Sequence, residues 1–317
     1  MKSLTYTNGD NMPAFGLGTW KSAPGEVKNA VIEAVKLGYR HIDCAAIYEN
    51  ENEVGEGLQQ CIEDGIVTRE DLWVTSKLWN NAHKKEDARP AIEKTLSDLR
   101  LDYIDLYLIH WPVAFRRDVK FPENTAGYLS PDEVTPEETW SAMQGLQKEG
   151  LTKHIGVSNF SIKKLQRLID LGGQNPEMNQ VELHPYLQQQ GLVDFCHAHE
   201  IHVTAYSPLG SMDRPDNMKK DGEPIPLENE VIRRMAAVHG ASPAQILIIW
   251  ALERGTSVIP KSTNPKRLKE NFEAQKIVLS EHEMAQIAAL DEHKRIIDGS
   301  FFTAPKKGYT KETLWDE

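Results

Sequence analysis

Eight polar side chains fall where the surrounding sequence is otherwise apolar. Asp43 lies inside "HIDCA" (41–45), Lys77 near the end of "LWVTSKL" (72–78), and His110 closes "DLYLIH" (105–110). Asn159, Gln180, Tyr206 and Lys261 stand in the same way in "HIGVSN" (154–159), "MNQVEL" (178–183), "HVTAYSP" (202–208) and "SVIPKS" (257–262). Tyr48 follows Asp43 in the next turn of chain. A carboxylate inside an apolar run is costly to bury without a partner, and Lys77 on the next run is the natural one. A phenol close to that ammonium is expected to have its pKa lowered from about 10, which would make it a usable general acid. His110 can hydrogen-bond a carbonyl oxygen and orient it. Together the four residues would polarise and protonate a carbonyl while another agent delivers hydride; the scheme needs neither a metal nor a nucleophile. Singly, each residue reads as a structural ion pair or a rim side chain. At successive junctions they read as a site, although spacing alone does not name the reaction.

The elements that must position them alternate. The apolar runs above, preceded by "AFGLG" (14–18), have the length of strands. Between them lie "GEVKNAVIEAVKLG", "EVGEGLQQCIEDG", "EDARPAIEKTLSDLRL", "PEETWSAMQGLQKEG", "SIKKLQRLIDLGG" and "QQGLVDFCHAHEI". Their apolar residues recur every three or four positions, with charge on the other face, and several end in Gly as helix C-caps do. Eight strand–helix units without a break in composition predict an α/β fold, a closed (β/α)8 TIM barrel forming a single domain over residues 1–317. In such a barrel the C-terminal strand ends converge on one rim, so the eight polar residues would share one site. Asn-Gly in "LTYTNGDNMP" predicts an N-terminal β-hairpin ahead of the barrel. Three irregular stretches remain at the C-terminal face: about 112–136, about 211–226, and the tail beyond Arg295. Long loops after barrel strands are where substrate and cofactor sites are built.

Composition narrows the class. The chain has 317 residues, 40% of them hydrophobic, enough for a large core. A net charge of −11 argues against a general nucleic-acid or anionic-membrane surface, but leaves room for a local basic pocket. No run approaches the roughly 18 apolar residues of a membrane span. The polar start "MKSLTYTNGDNMP" lacks the apolar stretch of a secretory leader. Three dispersed cysteines, Cys44, Cys61 and Cys196, fit a reduced compartment. A cytoplasmic location is the resulting expectation.

Eight segments in order, "GLGTW" (16–20), "GYRHIDCAAIYENENEVGEGL" (38–58), "VTSKLWN" (74–80), "DLYLIHWP" (105–112), "IGVSNF" (155–160), "NQVELHPYLQQ" (179–189), "AYSPLGS" (205–211) and "IPKSTNPKRLKENF" (259–272), resemble the aldo-keto reductase family. The resemblance covers nearly the whole chain, and leans towards the aldehyde reductase and aldose reductase branch. It implies that Asp43, Tyr48, Lys77 and His110 form the catalytic tetrad, with Tyr48 as acid. It implies NADPH as cofactor, with Thr19 and Trp20 beside it and Ser158, Asn159 and Gln180 at its carboxamide. Tyr206 would stack on its ring, and Ser207, Leu209, Ser211 and Asp213 would form the pyrophosphate loop. In "KSTNPKR", Lys261, Ser262, Thr263 and Arg267 would grip the 2′-phosphate, whose double charge suits charge-assisted bonds. Glu270 and Asn271 would meet the adenine. Asn264 departs from the Thr that relatives often carry there, with little consequence.

For the substrate, the resemblance implies a cleft lined by Trp20, Tyr48, Trp79, His110 and Trp111, joined by Phe115 and Phe121 from the long fourth loop and by Phe301 and Phe302 from the tail. The expected activity is NADPH-dependent reduction of aldehydes and some ketones to alcohols by a monomer acting on small carbonyl compounds. Two alternatives stand beside it: a sugar, sugar-acid or sugar-phosphate reductase of the same family, and a nucleotide-sensing barrel with little turnover. Lys306 and Lys307 could meet an acidic substrate or simply be solvated. "GLGTWK" fails as a dinucleotide fingerprint because Lys21 stands at its third Gly position. The histidines of "CHAHE" are two apart and share no helix face. His184 is expected to be packed, with a carbonyl partner.

Overall fold

The computed structural model describes residues 2–220 and 222–317; Met1 and Asp221 lie outside the described residues, the latter within the second long connection. An antiparallel hairpin, β1 (Ser3–Thr5) and β2 (Asn11–Pro13), comes first, as Asn8-Gly9 predicts. Its Tyr6 and Met12 pack on Trp73, Leu106, Leu108 and Met178, so the hairpin plugs the N-terminal end of the barrel.

Four parallel strands follow: β3 (Leu17–Gly18), β4 (His41–Asp43), β5 (Trp73–Leu78) and β6 (Ile104–Ile109). The long fourth connection holds its own small antiparallel pair, β7 (Ala114–Phe115) and β8 (Tyr128–Leu129). The sheet resumes with β9 (Thr152–Ser158), β10 (Met178–Glu182), β11 (His202–Tyr206) and β12 (Ser257–Val258). Parallel bridges Phe15–Val258 and Gly18–Lys261 join the first strand to the last and close the barrel. That seam is tight. A Cβ on Gly18 would lie 2.7 Å from the Ile259 carbonyl oxygen, so a side chain there would push the two ends apart.

Helices α1 (Val27–Leu37), α2 (Glu51–Glu63), α3 (Lys85–Leu99), α4 (Pro136–Lys148), α5 (Ile162–Asp170) and α6 (Gln190–Ala198) are those the apolar spacing picks out. The spacing does not pick out α7 (Glu230–His239), α8 (Pro243–Glu253) or α10 (Glu281–Ala288), and marks α9 (Pro265–Glu273) only as a basic stretch. Helix α8 is buried from Ile246 through Leu252, so it has no polar face to give a period. Helices α7 and α10 are additions to the alternation; they pack on each other and are tied by His239 Nε2–Glu283 Oε1 at 2.7 Å. The tail ends in α11 (Lys311–Trp315). No single helix among the described residues is long and apolar enough to cross a membrane.

Candidate active site

Strand pairing brings the first two charges together. Asp43 pairs in register with Thr75, and Lys77 lies two residues further along the same strand, on the same face. Lys77 Nζ donates to Asp43 Oδ1 at 2.5 Å and to the Cys44 carbonyl at 2.8 Å, and both side chains are almost wholly buried. The other Asp43 oxygen accepts from Gln180 Nε2 at 2.7 Å. Tyr48 closes a short 3-10 turn (Ala46–Tyr48) that Asn50 ties down by donating to the Thr19 carbonyl at 2.9 Å. Its ring centroid lies 5.2 Å from Lys77 Nζ and 5.9 Å from the His110 ring.

The expected lowering of the Tyr48 pKa is not what this geometry gives. Burial pushes the phenol well above its ordinary value, and the Asp43 charge adds to the rise. The physical reason is that Asp43 already neutralises Lys77 at close range, so little attraction is left to offset desolvation. His110 is held well below the ordinary imidazole value by burial, with Lys77 and His83 contributing, and is therefore neutral near pH 7.

Tyr48 and His110 face a cavity of about 850 Å³, which runs from the aromatic mouth along the C-terminal strand ends to α9. Thr19, Trp20, Ser158, Asn159, Gln180, Tyr206, Ser207, Leu209, Ser211, Asp213, Lys261, Ser262, Arg267, Glu270 and Asn271 all line it. Ser158 Oγ donates to the Gln180 carbonyl at 2.8 Å, and Asn159 Nδ2 to the His110 carbonyl at 3.0 Å. Tyr206 donates to Asn159 Oδ1 at 2.7 Å. The loop beyond β11 reverses through positive φ at Ser207, Gly210 and Ser211. A Cβ on Gly210 would come within 2.6 Å of Pro226 Cδ, so glycine allows the loop to fold back on its own base.

Not every expected residue reaches the cavity. Phe115 is buried behind the wall, 5.7–6.3 Å from the rings of Trp79, Phe121 and Phe302, because β7 turns it into the apolar cluster under the mouth. Thr263 stands between Ser262 and the α9 N-cap Asn264 and is not among the lining residues. Lys306 and Lys307 do not line it either; Lys307 pairs with Glu133 at 2.7 Å. Ile297, Phe301 and Phe302 from the tail do line it. His184 finds the Glu182 carboxylate at 2.8 Å instead of a carbonyl.

Lys21 is the residue that sequence reasoning passed over. Its Nζ donates to Ser211 Oγ at 2.7 Å and Asp213 Oδ1 at 2.5 Å, and Lys261 approaches the other Asp213 oxygen at 3.3 Å. These contacts strap the 211–226 loop across the groove. Its signal in the sequence is a lysine directly after "GLGTW", at the position where a dinucleotide fingerprint would carry its third glycine.

An alternating barrel with a buried ion pair, a phenol and a neutral imidazole at one end of a long groove, and basic residues at a helix N-terminus at the other, has the form of a nicotinamide-dependent oxidoreductase. The chain belongs to the aldo/keto reductase family, whose family model matches residues 13–292. It is 52% identical over 317 residues to an aldo/keto reductase of Synechocystis sp., covering 100% of this chain and 97% of that one. It is 47% identical over 297 residues to mouse aldo-keto reductase family 1 member A1, covering 93% and 91% of the two chains. Among solved structures, the aldose reductase from Schistosoma japonicum superposes with a TM-score of 0.87 at 39% identity, over 95% of this chain and 96% of the other. A Bombyx mori aldo-keto reductase in complex with NADP superposes with a TM-score of 0.85 at 36% identity, over 94% and 95%.

The family is one of NADP(H)-dependent oxidoreductases, and this chain is an enzyme of that type. The groove fits such a cofactor. Asn159 and Gln180 keep carbonyl lone pairs beside the cavity, and Lys261, Ser262 and Arg267 gather at the N-terminus of α9, where an anion is favoured.

Proposed function

We propose that the enzyme reduces aldehydes, and some ketones, to alcohols with NADPH, using Tyr48 as the general acid. The observation that carries this reading is the juxtaposition of Tyr48 and His110 on the cavity, backed by the buried Lys77–Asp43 pair. When bound, NADPH supplies the hydride; protonation and orientation fall to the protein. His110 Nδ1 is buried without a hydrogen-bond partner. Leaving it as a bare acceptor costs less than burying an unpaired N–H there, which assigns the proton to Nε2. A carbonyl oxygen in the cavity would then receive hydrogen bonds from His110 Nε2 and the Tyr48 hydroxyl. As negative charge grows on that oxygen, Tyr48 passes its proton to it. A raised phenol pKa does not block this step, because an alkoxide is a far stronger base than a phenolate. Lys77, whose charge Asp43 largely offsets, fixes the floor of the site beside the Tyr48 ring rather than making the phenol acidic.

The walls favour apolar carbonyl compounds over sugars. The substrate end is lined by Trp20, Ile47, Trp79, Trp111, Phe121 and Phe302, and Trp79 Nε1 already donates to the Lys120 carbonyl at 2.8 Å. Lys120, the cation at the mouth, pairs with Glu49. Each sugar hydroxyl left unpaired on entering such a cleft would cost about 1–3 kcal/mol. The test is NADPH oxidation, followed by absorbance, with aromatic aldehydes, short aldehydes, aldoses and aldose phosphates, repeated with NADH. Aromatic aldehydes should give the highest kcat/KM. Turnover only with sugars would overturn the substrate assignment, and nucleotide binding without any turnover would favour a sensor.

A further inference from the structure

Glu182 is a fully buried carboxylate with no lysine or arginine partner among the described residues. It ends β10, two residues beyond Gln180, and three donors converge on it: His184 Nε2 at 2.8 Å, the Ile296 amide at 2.7 Å and the Ile297 amide at 2.8 Å. The last two belong to the C-terminal tail, in an irregular stretch whose successive amides would otherwise be buried without acceptors. Ile297 lines the substrate cavity, and Phe301 and Phe302, a few residues on, pack on Trp111 at 5.7 and 5.1 Å. The next residue, Asp298, is held from the other side by Lys220 of the cofactor loop and Lys311 of the tail, both at 2.5 Å.

We infer that Glu182 is a positioning residue for substrate specificity: its carboxylate clamps the tail at Ile296–Ile297 and so sets the part of the cavity wall formed by Ile297, Phe301 and Phe302. Only an acceptor without N–H groups serves three donors at once. Glutamine would turn an NH2 towards one of them, breaking a bond and placing donor against donor. The clamp touches neither Tyr48 nor His110, so its loss should alter which carbonyl compounds fit and leave the proton transfer intact. This inference rests on the aldehyde-reductase reading only for its kinetic arm.

Two measurements on the full chain test it. In Glu182→Gln, KM for an aromatic aldehyde should rise about tenfold, as expected for one lost hydrogen bond to a charged acceptor, while kcat with propanal and Kd for NADPH change less than about twofold. Without any substrate, hydrogen exchange at the Ile296 and Ile297 amides should quicken at least about tenfold, with the barrel strands unchanged. Glu182→Asp, which keeps an acceptor-only carboxylate, should recover part of both effects. If Glu182→Gln fails to fold, Glu182→Asp and Ile297→Ala decide, each showing the same dependence on aldehyde size. Uniform losses across aldehydes, a weakened NADPH Kd, or unchanged amide exchange would overturn the inference. Faster exchange in a protein that reduces no aldehyde would leave the clamp standing and remove the proposed function instead.

Discussion

Replacing Lys77 by Met removes the ammonium that pairs with Asp43 and leaves a buried carboxylate that still accepts from Gln180 Nε2. The Lys77 and Asp43 side chains are 1% and 2% exposed, so water cannot take the place of the lost cation. Breaking a buried pair from one side costs about 3–5 kcal/mol, because the surviving charge is uncompensated. Adding Asp43→Asn removes that charge at nearly constant volume and keeps an acceptor for Gln180. The double variant should therefore return to within about 1–2 kcal/mol of wild type, recovering roughly 2–3 kcal/mol of the Lys77→Met loss. Urea denaturation followed by far-UV circular dichroism measures all three values. Both variants should lose carbonyl reduction, which separates stability from activity. A Lys77→Met cost below about 1 kcal/mol, or a double variant no more stable than the single one, would refute the claim that Asp43 is tolerated because of Lys77.

Glu51 is raised to about 7 from 4.5 by burial, despite hydrogen bonds from Ser76 and Thr95. A carboxyl that holds its proton more tightly when folded lowers stability as pH rises from about 4.5 to about 7; Glu51→Gln should abolish that slope and gain up to about 3 kcal/mol at pH 8, and an unchanged denaturation midpoint there would contradict it. Lys261→Ala and Arg267→Ala should each weaken NADPH binding about 10- to 100-fold by fluorescence titration with little effect on NADH, whereas equal losses would mean the phosphate lies elsewhere. Because burial keeps the Tyr48 phenol protonated, the reduction rate should stay level from about pH 6 to 9; a decline centred near 7 would restore the idea that Lys77 makes the phenol acidic.

The barrel was legible because its strands and most of its helices carry different periods, and the site because polar residues recur at successive strand ends, where any one alone would read as an ion pair or a rim side chain. Where period is lost, so is legibility: α8 is apolar on every side, and α7 and α10 interrupt the alternation. Within the site, residue types at strand ends picked out Asp43, Lys77, His110, Asn159, Gln180, Tyr206 and Lys261, with Tyr48 in the loop after Asp43, while the resemblance carried their roles and the remaining cofactor positions. Lys21 and Glu182 escaped for a shared reason. Each acts on a segment far away in sequence, Lys21 on Asp213 and Glu182 on Ile296–Ile297, and irregular loops leave no pattern that pairs them. Phe115 was misplaced because the hairpin in the fourth loop decides which of its aromatics face the cavity. The direction of the Tyr48 shift failed through arithmetic between charges: a cation already paired with an anion at 2.5 Å does little for a third group.

The chemistry turns on whether Tyr48 gives the proton. Single-turnover oxidation of bound NADPH by an aromatic aldehyde, in wild type and in Tyr48→Phe, tests it without interference from product release. Wild type should react, and Tyr48→Phe should be slower by about 10²–10⁴-fold with Kd for NADPH unchanged. A Tyr48→Phe enzyme that reduces the aldehyde at the wild-type rate would contradict the account.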